Sequence, residues 1–135
     1  MFAANVRVLV VDDMQTMRSM LKGQLRTLGL KEFMEAENGE EALKILTAQA
    51  TKNEPIQLIL SDWNMPVMPG IELLKKVKSN ANFKDVPFVM ITAEGEVHQV
   101  KEAITAGVSN YIVKPFSADT LAEKLANVAK KLGGG

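Results

Sequence analysis

A buried strand that ends in an acidic residue is the feature that most constrains how this chain folds. The segment Ile56–Gly70 reads IQLILSDWNMPVMPG, in which a short apolar run ends at Asp62 and turn-forming residues follow. An apolar run closed by proline, asparagine and glycine is typical of a buried strand. Asp62 is therefore predicted at the carboxyl end of a strand, where open α/β sheets bind their ligands.

Other apolar runs repeat this pattern and alternate with helix-like segments. Val6–Val11, Pro87–Ile91 and Tyr111–Val113 are predicted strands, and Glu32–Glu37 is a weaker candidate because its apolar residues alternate only in part. Residues at helical spacings of three and four predict the inward faces of the helices between them. For the first and fourth helices these faces are Met17, Met20, Leu21, Leu25 and Leu28, and Val97, Val100, Ala103 and Ile104. Five strands, each followed by a helix, predict a parallel sheet covered on both faces.

Composition narrows the class of protein. A chain of 135 residues is predicted to form one domain, residues 1–135. With 16 basic and 16 acidic residues, no net charge draws the whole protein to nucleic acid or to an anionic membrane. Cysteine is absent from the sequence, which excludes disulfides and thiolate metal sites. The N-terminus does not resemble a signal peptide and no apolar run approaches the ~18 residues of a membrane span, so a cytoplasmic location is expected.

Polar residues follow the predicted strands and should meet at one edge of the sheet. Asp12 and Asp13 follow the first strand, Asp62 ends the third, Thr92 follows the fourth and Lys114 follows the fifth. Three neighbouring carboxylates repel one another, so they either keep protons or hold a hard cation. A site of oxygen ligands without histidine or cysteine suits Mg²⁺.

The same set of side chains suits phosphoryl transfer. A carboxylate can accept a phosphoryl group and form an acyl phosphate. A lysine and a hydroxyl group beside it would then neutralise and hydrogen-bond the phosphoryl oxygens, which is the positioning that this chemistry needs.

Four motifs at these strand ends resemble one known family. They are VVDD at Val10–Asp13, SDWNMP at Ser61–Pro66, TAE at Thr92–Glu94 and YIVKPF at Tyr111–Phe116. In this order the motifs are similar to those of the receiver domains of two-component signalling, and the resemblance covers nearly the whole chain. It implies a single flavodoxin-like, doubly wound (βα)5 domain with strand order 2-1-3-4-5.

The resemblance also implies roles for individual residues. Asp62 would be the phosphoacceptor, and Thr92 and Lys114 would contact the phosphoryl group. Mg²⁺ would be held by Asp12, Asp13, Asp62 and the main-chain carbonyl of Asn64. Asn64 and Glu94 would tune dephosphorylation, and the Lys114–Pro115 peptide bond would be cis.

The resemblance places the output on the face built by the fourth helix, the fifth strand and the fifth helix. Tyr111 would turn inward on phosphorylation and couple the site to this face. The residues predicted on it are Val97, Val100, Tyr111, Val113, Phe116 and Lys124. An apolar strip with a basic residue fits an amphipathic partner peptide.

The partners implied are a histidine kinase of the chemotaxis type, a flagellar motor switch protein and a phosphatase, with the chain itself a monomer. It would catalyse only its own phosphorylation and dephosphorylation, and it would bind neither nucleic acid nor membrane.

Other functions compete with a motor-binding switch. A receiver that acts as a phosphate sink or relay, without motor binding, has the same motifs. An aspartate-nucleophile phosphohydrolase usually carries a second carboxylate two residues after the nucleophile, where this chain has Asn64. A flavin carrier needs a phosphate-binding loop after the first strand, where Asp12 and Asp13 would repel a phosphate. Taken alone, that acidic pair is more typical of a turn or a helix cap.

Overall fold

The computed structural model of the protein describes residues 2–92 and 97–132, without the side chains of Val97 and Leu132. Strands and helices alternate along the chain as predicted. The strands are β1 (Arg7–Val11), β2 (Glu32–Ala36), β3 (Leu58–Asp62), β4 (Phe88–Thr92) and β5 (Asn110–Val113). The helices are α1 (Gln15–Thr27), α2 (Gly39–Thr51), α3 (Gly70–Ser79), α4 (Val97–Thr105) and α5 (Ala118–Leu132).

The five strands form one parallel sheet in the order β2-β1-β3-β4-β5, which confirms the predicted fold. The register brings the carboxyl ends of neighbouring strands level with one another. Asp62 at the end of β3 pairs with Ile91, and Thr92 at the end of β4 pairs with Val113. Residues that follow these strands therefore emerge along the same edge of the sheet.

Alternate residues of the central strands enter two separate hydrophobic cores. In β1, Leu9 and Val11 face the core covered by α2, α3 and α4, whereas Val8 and Val10 face the core covered by α1 and α5. Every residue of β3 and β4 is buried. A sheet buried on both faces explains why these strands are continuous apolar runs rather than alternating ones.

Two polar residues begin helices as their types favour. The Asn38 Oδ1 atom accepts the Glu41 N–H at 2.9 Å at the start of α2. Ser117 Oγ accepts the Thr120 N–H at 3.1 Å at the start of α5. Each bond satisfies a backbone donor that has no partner within the helix, a cap typically worth about 1 kcal/mol. None of the helices in residues 2–92 and 97–132 has the length and apolar character required to cross a membrane.

Two of the core positions predicted above for the first and fourth helices are wrong. Met20 of α1 is 42% exposed and Ile104 of α4 is 58% exposed. The buried stripe of α1 consists of Arg18, Leu21 and Leu25. Because successive helical residues turn by about 100°, Met20 is directed away from a stripe that passes through Leu21. The stripe instead includes Arg18, a charged residue that the apolar pattern did not place on the inward face.

Candidate functional site

Three carboxylates meet at the carboxyl edge of the sheet. Asp12 and Asp13 follow β1, and Asp62 is the last residue of the neighbouring strand β3. One oxygen atom from each lies within 4.8 Å of the others, and we call these residues the acidic cluster. Asp12 and Asp62 are buried, whereas Asp13 is exposed. The sequence-predicted juxtaposition of these side chains is therefore present, with one carboxylate accessible from solvent.

Lys114 reaches the acidic cluster from the end of β5. Its backbone N–H donates to the Thr92 carbonyl at 2.8 Å, which extends the pairing of β4 and β5 to the sheet edge. Its Nζ atom donates to Asp62 Oδ1 at 3.1 Å, and the same oxygen accepts the Trp63 N–H at 2.9 Å. The Lys114–Pro115 peptide bond is cis, as the resemblance implies. Two donors thus hold the Asp62 carboxylate in one orientation.

Burial disfavours the ionised forms of the two buried carboxylates. Burial raises the pKa of Asp62 above its ordinary value, although the hydrogen bond and the charge of Lys114 oppose this shift. Burial also raises the pKa of Asp12. The hydrogen bond from the Met14 N–H opposes this shift, and the nearby negative charge of Asp62 adds to it. Additional positive charge at this edge would therefore be favourable.

Two buried oxygen atoms at this edge lack hydrogen-bond partners within the described part of the chain. They are Asp12 Oδ2 and Thr92 Oγ1. An unsatisfied buried oxygen is costly unless an ion, a ligand or water completes it. The acidic cluster offers only oxygen ligands, and one of them lacks a partner, so its residues fit Mg²⁺. The Thr92 hydroxyl is available to an anion that approaches the same edge.

A groove beside the acidic cluster gives access from solvent. Its volume is about 380 Å³, and its lining residues are Asp13, Trp63, Asn64, Met65, Pro66 and Pro69. The Asn64 side chain is exposed. The groove therefore runs from the accessible carboxylate of Asp13 along the loop between β3 and α3. The roles of Asn64 in metal binding and in dephosphorylation remain predictions.

The predicted output residues surround β5. Val100, Tyr111, Val113, Phe116 and Lys124 are all half-buried. The Lys124 Nζ atom lies 4.6 Å from the centroid of the Tyr111 ring, and the Lys124 carbonyl accepts the Asn110 Nδ2 at 3.1 Å. A lysine over an aromatic face is an attractive contact. Lys124 thus ties α5 to β5 at the tyrosine predicted to move.

Two of the predicted positions fall outside the part of the chain that the structure describes. They are Glu94 and the side chain of Val97. Their roles in dephosphorylation and in output stay predictions.

Sequence reasoning missed two residues that support this site. Arg18 is buried on α1 and its guanidinium donates to the Asp12 carbonyl. Gly70 begins α3, and a Cβ atom there would lie 2.2 Å from the Asp62 carbonyl oxygen. Arg18 was detectable because it lies three residues before Leu21 on an otherwise apolar stripe. Gly70 followed Pro69 and was interpreted only as a turn residue.

The raised pKa of Asp12 leads to a prediction about stability in metal-free buffer. A carboxyl whose pKa is higher in the folded than in the unfolded protein contributes most to stability below the unfolded pKa, and this contribution is lost as pH rises through the folded pKa. Asparagine does not ionise, so Asp12→Asn avoids this loss of stability at neutral pH. It also keeps the Oδ1 atom that accepts the Met14 N–H at 2.9 Å. We expect a higher Tm than wild type at pH 7 in EDTA, with the difference shrinking below about pH 4.

Thermal unfolding followed by circular dichroism at several pH values measures this effect. Glu37→Gln, at an exposed acidic residue after β2, is the control and should change little. An Asp12→Asn protein less stable than wild type at pH 7 without metal would contradict the prediction.

Comparison with known proteins agrees with this geometry. The sequence matches the response regulator receiver domain over residues 8–126. It is 47% identical to a chemotaxis protein CheY homolog of Campylobacter jejuni over 123 residues, which cover 91% of this chain and 92% of the relative. It is 48% identical to chemotaxis protein CheY1 of Helicobacter pylori over 120 residues, covering 89% of this chain and 94% of that protein.

A solved structure shows the same fold. The chemotaxis response regulator CheY4 of Vibrio cholerae superimposes with a TM-score of 0.77 at 36% identity, covering 92% of this chain and 98% of that one. The matched segment contains strands β2 to β5, all of β1 except its first residue, and the acidic cluster. The chain therefore belongs to the response regulator receiver domain family.

Proposed function

We propose that this protein is a phosphorylation switch in chemotaxis, in which Asp62 accepts a phosphoryl group from a histidine kinase in a Mg²⁺-dependent reaction. The observation that carries the proposal is the contact of Lys114 Nζ with Asp62 Oδ1, at 3.1 Å, within a cluster of three carboxylates. A nucleophilic carboxylate, a fixed cation and a cation site at one strand edge are the components of phosphoryl transfer to aspartate.

The transfer forms one bond and breaks another. An Asp62 carboxylate oxygen attacks phosphorus, the bond from phosphorus to the donor histidine nitrogen breaks, and the imidazole recovers its nitrogen lone pair. The Lys114 ammonium is already within hydrogen-bond distance of Asp62. It is therefore placed to contact the phosphoryl oxygens and to stabilise the negative charge that develops on them during transfer. The Thr92 hydroxyl, unpartnered among the described residues, donates to one of these oxygens.

The groups that would hold Mg²⁺ are the side chains of Asp12, Asp13 and Asp62 and the main-chain carbonyl of Asn64. When bound, the ion neutralises the carboxylates and the phosphoryl oxygens, which otherwise repel each other. The raised pKa values of Asp12 and Asp62 support this assignment, since a cation would favour their ionised forms.

Phosphorylation would change the face formed by α4, β5 and α5. A phosphoryl group adds about 1.5 to 2 negative charges, which attract Lys114 and the Thr92 hydroxyl. Thr92 pairs with Val113 in the sheet, so its displacement would be passed to β5, the strand that carries Tyr111. The target proposed for this face is a flagellar motor switch protein, because the relatives of highest identity described above are chemotaxis proteins.

The test is intact-mass spectrometry of the protein incubated with acetyl phosphate, with Mg²⁺ or with EDTA. We expect one added phosphoryl group that requires Mg²⁺ and is removed by hydroxylamine, which cleaves acyl phosphates and leaves hydroxyl esters intact. An adduct that forms equally well in EDTA, or one that resists hydroxylamine, would contradict the proposal. So would the absence of any adduct in a folded protein.

A further inference from the structure

A buried arginine lies beneath the acidic cluster. Arg18 is 8% exposed although it belongs to the first turns of α1, and it occupies the same stripe as Leu21 and Leu25. A buried guanidinium is costly unless its donors are satisfied. Its two polar contacts are therefore informative about why a charge is kept at this core-facing position.

The Arg18 side chain holds the start of the loop that carries two of the carboxylates. Its Nη1 atom donates to the main-chain carbonyl of Asp12, and the Arg18 backbone N–H donates to the Met14 carbonyl at 3.1 Å. The loop is closed further by the Met14 N–H, which donates to Asp12 Oδ1 at 2.9 Å. The Arg18 side chain thus fixes the backbone before Asp13, and the first turn of α1 and Asp12 Oδ1 fix it after Asp13, whose own side chain is exposed.

Arg18 is itself held from the opposite side. Its Nε atom donates to Glu35 Oε1 at 3.0 Å, and Lys22 Nζ donates to the other carboxylate oxygen of Glu35 at 2.8 Å. These contacts lower the pKa of Glu35, so it stays ionised. The planar guanidinium bridges Glu35 on β2 and Asp12 after β1, and a lysine ammonium on a flexible stem does not reproduce this two-point geometry.

We propose that Arg18 is a positioning residue for the metal site: it holds the Asp12–Met14 backbone so that the Asp12 and Asp13 carboxylates converge on one cation. This inference rests on the proposed function, since it assigns Arg18 a role toward the Mg²⁺ of that reaction. Outer contacts that orient metal ligands commonly contribute about ten- to a hundredfold to affinity. Arg18 would do this through the backbone, with no contact to the ion.

The sign of the effect separates positioning from simple electrostatics. Removing a positive charge near a cation site should tighten Mg²⁺ binding if charge alone matters. Arg18→Lys keeps the positive charge and loses the simultaneous contact with Glu35 and the Asp12 carbonyl. Lys22→Met removes the other positive charge that contacts Glu35 and leaves the contact of Arg18 with Asp12 intact. The experiment titrates each protein with Mg²⁺ alone, followed by Trp63 fluorescence and by calorimetry, at a temperature where all are folded.

We expect Arg18→Lys to weaken Mg²⁺ binding about tenfold and Lys22→Met to leave it unchanged or tighter. Phosphorylation of Arg18→Lys by acetyl phosphate should recover at saturating Mg²⁺. An Arg18→Lys Kd within twofold of wild type would overturn the inference, as would an equal loss in Lys22→Met. These two outcomes in the variants would leave the proposed function intact. If wild type itself binds no Mg²⁺, both the proposed function and this inference fail.

Discussion

Asp62→Asn is expected to abolish phosphorylation, reducing the rate by at least about a thousandfold. Asparagine has nearly the shape of aspartate, and its Oδ1 atom can still accept from Trp63 N–H and Lys114 Nζ, which lie 2.9 and 3.1 Å from that oxygen in the wild type. An amide oxygen is a far poorer nucleophile than a carboxylate and does not form a stable acyl phosphate. The measurement is the mass of the protein after incubation with acetyl phosphate and Mg²⁺.

The matched control is Asp13→Asn, which removes one carboxylate of the acidic cluster and keeps Asp62. We expect this variant to be labelled slowly and to approach wild type as Mg²⁺ is raised. Labelling of Asp62→Asn at the wild-type rate would show that another residue is the acceptor. The folded state should survive, because the raised pKa of Asp62 means that ionisation there already opposes folding in metal-free protein.

The fold could be predicted from the apolar runs, and the exceptions have local causes. β3 and β4 are buried on both faces, so their sequences are continuous apolar runs with little ambiguity. β2 lies at the sheet edge with only Ala36 buried, which explains why its pattern was weak. The strand order came from the resemblance, because periodicity says which segments are strands and carries no information on which strands are neighbours.

The acidic cluster could be predicted because parallel strands end at one edge, so residues distant in sequence converge there. The two residues that support the acidic cluster, Arg18 and Gly70, could not be predicted in the same way. Arg18 is polar at a core-facing position, so a pattern that counts only apolar residues did not include it. The contact of Gly70 with Asp62 depends on how closely α3 approaches β3, a distance that only the assembled structure contains.

Gly70→Ala is expected to destabilise the protein by about 3 kcal/mol, near the upper end of the usual cost of overpacking. A Cβ atom at this position would lie 2.2 Å from the Asp62 carbonyl oxygen and 2.9 Å from Met90 Sδ. The Met90 side chain can move, but the Asp62 carbonyl belongs to the central strand β3. Either α3 or the end of β3 must shift. For a domain of this size we expect the Tm to fall by about 10 °C, measured by thermal unfolding.

Gly23→Ala is the control with the opposite expected sign. Gly23 lies inside α1, and a Cβ atom there would meet nothing within 4 Å. Alanine restricts the unfolded chain and favours the helix, so this variant should gain about 0.5 to 1 kcal/mol. A Gly70→Ala protein within 2 °C of wild type would contradict the predicted clash.

The two glycine variants also separate stability from the geometry of the site. Gly70 N–H donates to the Trp63 carbonyl at 2.9 Å, so a shift of α3 displaces Trp63, whose N–H donates to the Asp62 carboxylate. A displacement of about 1 Å can cost a hundredfold in rate. At a temperature where all three proteins are folded, we therefore expect slower labelling by acetyl phosphate in Gly70→Ala and unchanged labelling in Gly23→Ala. Equal rates in both would mean that the close approach at Gly70 serves packing alone, and that Asp62 is held in place by Lys114 and the Trp63 N–H.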